Sequence, residues 1–288
     1  MIESLKRITR IEHHTITYVS PAGEYIISSY GEDSLQISLK KIREEICPGI
    51  ELVCSDPFVS YRETINKESS QICLSKSPNK HNRLYCNAEP LGSDFLMDME
   101  TGVLDIKLNK YGTFSKKEDL LATSKLFVSK YQWDVNDSKK IWCFGPEENR
   151  FSNVLVDQTR GIQFLNEIKD SICSAFQWAT KEGVLCEEPV FGVRFNLKDA
   201  NLYTDTIHRG SGQVIPTARR VFYASMYTAS PAIMEPINLI QMKCPKSHLN
   251  NLLPLINQHH GYTIREDPVI GSDSYIISAN VPVIHSYK

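Results

Sequence analysis

No run of the form GxxxxGK[S/T] occurs in the 288 residues, so the chain lacks the loop that cradles nucleotide phosphates and Mg²⁺. It also lacks any CxxC pair. The eight cysteines (Cys47, Cys54, Cys73, Cys86, Cys143, Cys173, Cys186, Cys244) are scattered, which argues against a zinc site or redox motif. They are expected as free, buried and inert cytosolic thiols. Apolar runs long enough to span a bilayer are missing, and MIESLKRITRIEHH has no apolar signal-peptide core. A cytoplasmic chain with no membrane partner is expected. An excess of charge of one sign is lacking too. With net charge −2, any nucleic-acid partner has to be engaged through local basic patches. What is present is ordinary globular composition, 41% hydrophobic and 23% charged, at a length that suits two or three compact domains.

Periodicity then divides the chain. Up to about Val59 it reads helix, strand, turn, strand, helix, strand. Two β-rich runs within Thr15–Ser29 flank the hairpin signal Ser20-Pro21-Ala22-Gly23. Leu35, Leu39, Ile42 and Ile46 share one helical face that Pro48-Gly49 ends. In the large middle region, Ile162, Leu165, Ile168, Ile172, Phe176 and Ala179 predict a helix over 161–181, ended by Gly183 and with Trp178 in the core. Val190–Leu202 reads as strand and Thr217–Ala229 as a second helix. The charged stretch Glu89–Asp134 reads as a helical insertion on the surface. Beyond about Met234, INLIQMKCP is a strand, and Leu249, Leu252, Leu253 and Ile256 form a helix face closed by Gly261. Two further strands follow, YTIRED and SYIISANVPV. Both flanking segments look like ferredoxin-like units with elements missing: a first strand in one, a second helix and last strand in the other. The expected fold class is α+β.

The stretch richest in chemistry is NLYTDTIHRGSGQVIPTARRVFYAS, Asn201–Ser225. Gly210 and Gly212 beside His208 predict a tight turn with the imidazole at an exposed tip. Pro216 suits the first position of a following helix. A Gly-rich turn ahead of a helix can cradle phosphate, but this one has neither the P-loop lysine nor dinucleotide-fingerprint spacing. It also suits a structural turn with a surface histidine. A catalytic role for His208 needs a partner and a pocket, and Asp205 is the nearby candidate. Arg219 and Arg220 suit either ion pairs inside the domain or contact with RNA.

IHRGSGQVIPTARR resembles the diphthamide loop of eukaryotic elongation factor two, the GTPase that drives ribosomal translocation. SDPFVSYRETI (Ser55–Ile65), LSKSPNKHNRLY (Leu74–Tyr85), KIWCFGP (Lys140–Pro146), FLNEIKDSICSAFQWATKEGVLCEE (Phe164–Glu188) and ASPAIMEPI (Ala229–Ile237) are similar to that family in the same order. The resemblance covers nearly the whole chain and weakens between about Leu91 and Ser129. It implies a C-terminal fragment without the GTP-binding domain. Residues 1–59 would be like domain III, with the first strand missing. Residues 60–231 would be like domain IV, and 232–288 like the start of domain V. Cofactors are expected in the parent protein only, as GTP and Mg²⁺.

Three loops are expected at the domain IV tip: Lys76–Arg83, a turn near Glu187–Gly192, and the His208 loop. His208 matches the histidine modified to diphthamide. Lys76, Lys80, His81, Arg83, Asp205, Arg209, Gly210 and Gly212 would contact the ribosome, with Lys76, Lys80, Arg83 and Arg209 as mobile cations for phosphate. The implied partners are the ribosome with its rRNA, A-site tRNA and mRNA, the diphthamide-synthesis enzymes, and ADP-ribosylating toxins. A related spliceosomal GTPase shares the architecture and is the alternative. The chain departs from the family pattern at Tyr203, where a histidine is usual, at Ser211 in place of a glycine, and at Glu147-Glu148-Asn149-Arg150-Phe151 in place of a Gly-rich turn.

Overall fold

The computed structural model describes residues 2–20, 23–104, 106–109, 111–146 and 152–286. Pro21 and Ala22 of the expected hairpin turn, and the divergent Glu147–Phe151 run, lie outside the described residues. The chain divides into two compact units, Ser60–Glu235 and a second made of Met1–Val59 with Pro236–Lys288.

The N-terminal segment holds α1 (Ile2–Ile11), β1 (Ile16–Val19), β2 (Tyr25–Ser28) and α2 (Glu32–Lys41). β1 and β2 pair antiparallel, and Leu5, Ile8 and Ile42 form a small buried cluster. The last expected strand is not formed: residues 50–59 are irregular, with Val53 95% and Phe58 68% exposed.

The central unit is a two-sided α+β layer structure. Its elements are β3 (Arg62–Ile65), β4 (Cys73–Lys76), β5 (Arg83–Pro90), α3 (Ser93–Glu100), α4 (Lys117–Tyr131), α5 (Val135–Lys139), β6 (Ile141–Gly145) and β7 (Asn153–Asp157). α6 (Leu165–Lys181), β8 (Val193–Asn201), a 3₁₀ turn (Thr206–Arg209), α7 (Ser211–Tyr227) and β9 (Pro231–Met234) follow. The main sheet runs β4-β5-β8-β7-β6, and β3 pairs separately with β9. Among the described strands of that sheet, only β7 and β8 pair parallel, joined by α6 as a β-α-β crossover.

Alternation along β7 decides which helices cover which face. Leu155 points into one core with Ile168, Ile172 and Phe176 of α6 and Val221 and Phe222 of α7. Val154 and Val156 point into the other, with Phe95 of α3 and Phe127 of α4. The stretch expected as a surface insertion is therefore the second covering layer, because Phe95 and Phe127 are 1% and 0% exposed. Trp178 goes the other way. It is 46% exposed, donates its indole N–H to Glu182 and carries the Arg219 guanidinium 3.8 Å above its ring.

Beside the approach to β8, Glu63 of β3 is fully buried and accepts four backbone N–H groups, from Val184, Leu185, Cys186 and Glu188 at 2.7–3.2 Å. Gly183 is needed here for close approach rather than helix termination, since a Cβ would sit 2.4 Å from that carboxylate. Burial, then the Glu63 charge, raise the Glu188 carboxyl above its usual value.

The C-terminal segment holds β10 (Ile237–Pro245), α8 (Leu249–Gln258), β11 (Tyr262–Pro268) and β12 (Ser274–Pro282), with sheet order β10-β12-β11. Ile256 of α8 packs on Ile277, Ala279 and Val281. All eight cysteines are free, but Cys54 and Cys186 are exposed and Cys244 is intermediate, contrary to the expectation of burial throughout. Among the described residues no helix is long and apolar enough to cross a membrane, and no group of three or more His, Cys, Asp or Glu could hold a metal ion.

Candidate functional site

Topology brings three loops to one end of the main sheet. β4 ends there at Lys76 and β5 begins there at Arg83, while the parallel strands β7 and β8 deliver their carboxyl ends to it. Ligands of open α/β sheets gather at such carboxyl ends. The three loops are 77–82, 158–164 and 202–210. The expected turn near Glu187–Gly192 is not among them. It precedes β8, and the eight residue steps to Asn201 put it about 26 Å from the tip. The loop after β7 takes its place. It meets residues 199–204 across an open groove of about 350 Å³ lined in part by Arg160, Gln163, Asp199 and Asn201.

The 77–82 turn is braced internally and then braces the His208 loop. Asn82 donates its backbone N–H to the Ser77 hydroxyl at 2.9 Å, and Lys80 N–H bonds the Ser77 carbonyl at 2.7 Å, with Lys80 at φ 64. Asn79 and Asn82 each donate a side-chain N–H to the His208 carbonyl at 2.8 Å. The Asn82 side-chain oxygen accepts the Tyr203 N–H at 3.0 Å, and Gln213 of α7 accepts the Asn79 N–H at 3.0 Å. Asn82 is 1% exposed, so these bonds are shielded from competing water.

Arg209 was expected as a mobile cation, and the structure corrects this. Its side chain is 4% exposed, and the guanidinium pairs with Glu167 at 2.6 Å and lies 4.0 Å over the Phe164 ring. It also donates to the Tyr203 and Thr204 carbonyls at 2.8 and 2.9 Å. A planar fork with five donors can close all these contacts at once. Arg209 ties two of the tip loops together from beneath.

Gly210 and Gly212 are not left-handed hinges. Gly210 has φ −63 and ψ 163 as the N-cap of α7, and Gly212 lies in the helix. Pro216 lies inside α7, not at its entry, because the helix begins five residues earlier at Ser211. Asp205 caps the 3₁₀ turn by accepting the Ile207 N–H at 3.2 Å.

His208 is half-buried, 42% exposed at its side chain, with Nε2 3.8 Å from a carboxylate oxygen of Asp205. Its ring lies 5.0 Å from His81 and 5.3 Å from Tyr203. The half-exposed pair with Asp205 is looser than a hydrogen bond, and His208 does not line the neighbouring groove. Lys76, Lys80, His81 and Arg83 are all exposed. The two readings of the arginine pair divide. Arg219 is held inside the unit by Glu182 at 2.7 Å and Tyr223 at 3.0 Å, whereas Arg220 is exposed and donates to the Lys76 carbonyl at 2.8 Å.

Sequence reasoning missed Asn82 and Glu167, whose roles depend on partners more than forty positions away, and it missed Glu63 at the far end. No local periodicity marks a polar residue for burial.

The α+β architecture places the central unit in a class of β-α-β domains whose loops project from one sheet end. Residues 113–230 match the family model of elongation factor G, domain IV, about two fifths of the 288 residues. The matched segment runs from before α4 to the end of α7 and contains the whole His208 loop. The 77–82 turn lies outside it and is joined to it by the two asparagine bonds. Over those residues the central unit is therefore similar to that domain.

Proposed function

We propose that the chain is a piece of a translation elongation factor of the eukaryotic elongation factor two kind, and that its central unit enters the decoding centre of the ribosome during translocation. The observation that carries the reading is the match to domain IV of elongation factor G over 113–230, with the His208 loop inside it. The tip chemistry agrees. Three exposed cations, Lys76, Lys80 and Arg83, stand on a turn braced by buried hydrogen bonds, which suits contact with RNA phosphate. In this reading Asp205, Gly210 and Gly212 shape the loop. Arg209 acts from beneath, and His208 is the residue modified to diphthamide.

The proposed partners are rRNA with A-site tRNA and mRNA, and the enzymes that build diphthamide. ADP-ribosylating toxins follow only if the modification is present. In this reading GTP and Mg²⁺ are cofactors of the parent protein, bound outside these residues. The likeness to the spliceosomal GTPase is the competing reading.

One experiment tests the proposal. The chain is purified from its native host, the His208 peptide is weighed by mass spectrometry, and the same preparation is sedimented with ribosomes. A diphthamide-sized increase together with co-sedimentation is the expected result. An unmodified His208 and association with spliceosomal particles would overturn it.

A further inference from the structure

Tyr203 and His81 form an exposed ring pair at the tip, with centroids 4.5 Å apart and planes inclined by 34°. The His208 ring meets Tyr203 edge-on at 83°. Ile207, one residue before His208, is 83% exposed. The backbone under the pair is held on both sides. The Tyr203 N–H goes to buried Asn82, and the Tyr203 carbonyl accepts from buried Arg209. Rings and an isoleucine held on a hydrogen-bonded support are preorganised for contact, so less ordering has to accompany binding. Lys76, Lys80 and Arg83 stand exposed on the same hairpin as His81, so positive charge adjoins the ring pair, while the Asp205 carboxylate lies 3.8 Å from His208 Nε2.

From this juxtaposition we infer that Tyr203, supported by His81, is a stacking platform for an unpaired nucleobase. The partner is RNA with at least one base out of its helix. Exposed aromatic faces among cations suit single-stranded nucleic acid, because every base has a π-face while only the backbone carries charge. The inference rests on the RNA reading of the tip. It adds a contact to the base where the exposed lysines and arginine supply contacts to phosphate.

The test uses the full chain and an RNA oligonucleotide carrying 2-aminopurine in an unpaired loop, beside the same strand held fully in duplex. Wild type and Tyr203→Phe quench the probe in the loop and leave the duplex signal unchanged. Tyr203→Ala removes the quench and weakens loop binding roughly ten- to a hundredfold, with the salt slope unaltered. Circular dichroism checks that each variant is folded. Equal affinity and equal quench for Tyr203→Ala would overturn the platform. If Lys80→Ala and Arg83→Ala still weaken binding in that case, the RNA reading stands without it. Absence of any wild-type binding to either RNA, or to ribosomes, would remove the RNA reading and the platform together.

Discussion

The two ends of the central sheet are built on the same device and put it to opposite uses. At the base, the Glu63 carboxylate is 0% exposed and gathers four N–H groups of the 184–188 loop. At the tip, Asn82 and Arg209, 1% and 5% exposed, gather three carbonyls and one N–H of the 202–210 loop. In both places buried polar side chains replace the ladder that irregular backbone lacks. The difference lies above the anchor. Around Glu63 the bonds close a buried junction. Over Asn82 and Arg209 the same kind of bonds leave Lys76, Lys80, Arg83, Tyr203 and Ile207 facing solvent. A loop can carry exposed functional groups in fixed places when its specificity is invested underneath it.

Breaking the base should cost the most stability. Glu63→Ala leaves four backbone N–H groups without their buried carboxylate, and a loss of about 3 kcal/mol in urea unfolding is expected. RNA binding per folded molecule should be unchanged. Arg209→Ala comes next, at roughly 2 kcal/mol, because Glu167 is half-exposed and retains water when the pair is lost. Unlike Glu63→Ala it should also impair binding, and Arg209→Lys should not rescue it, since an ammonium cannot reproduce the fork. If Arg209→Ala lowers stability alone, the tip anchor is only a second Glu63.

Lys80→Ala and Arg83→Ala sharpen the contrast from the other side. Stability should move by no more than about 0.5 kcal/mol. The logarithmic salt dependence of RNA binding should fall by about 0.7–0.9 per phosphate contact removed.

The smallest effect concerns Glu188, whose raised carboxyl favours the protonated form in the folded state. Stability therefore falls as pH rises from the ordinary glutamate range through the folded value. Glu188→Gln should raise the neutral-pH Tm slightly and flatten that slope in thermal scans.

Legibility followed range. The α6 helix was readable because Leu165, Ile168, Ile172 and Phe176 repeat every three or four positions, and it runs from Leu165 to Lys181. The same rule placed Trp178 in the core, although indole N–H, Glu182 and Arg219 together make an exposed shelf for it. The strand expected near Ile50 had apolar residues, but residues 50–59 join no sheet among the described residues. The 93–131 helices looked superficial because their apolar residues are loosely spaced, yet Phe95 and Phe127 meet Phe144, Val154 and Val156 on a sheet face that sequence cannot reveal.

The His208 loop was recognisable from its residues, and so were the cations of the 77–82 turn. Which third loop joins them depends on strand direction. β8 runs from the Glu187–Gly192 turn toward the tip, so that turn is at the wrong end and the 158–164 loop at the right one.

Sequence alone determined the α+β class, the α6 helix and two of the three tip loops, because hydrophobic period and turn residues act within a few positions. Tertiary structure alone decided which charged groups are free and which are anchors. Lys80 and Arg209 are equally cationic on paper. They part company because Glu167, Phe164 and two carbonyls converge on one guanidinium, and that convergence exists only once the sheet has brought distant loops together.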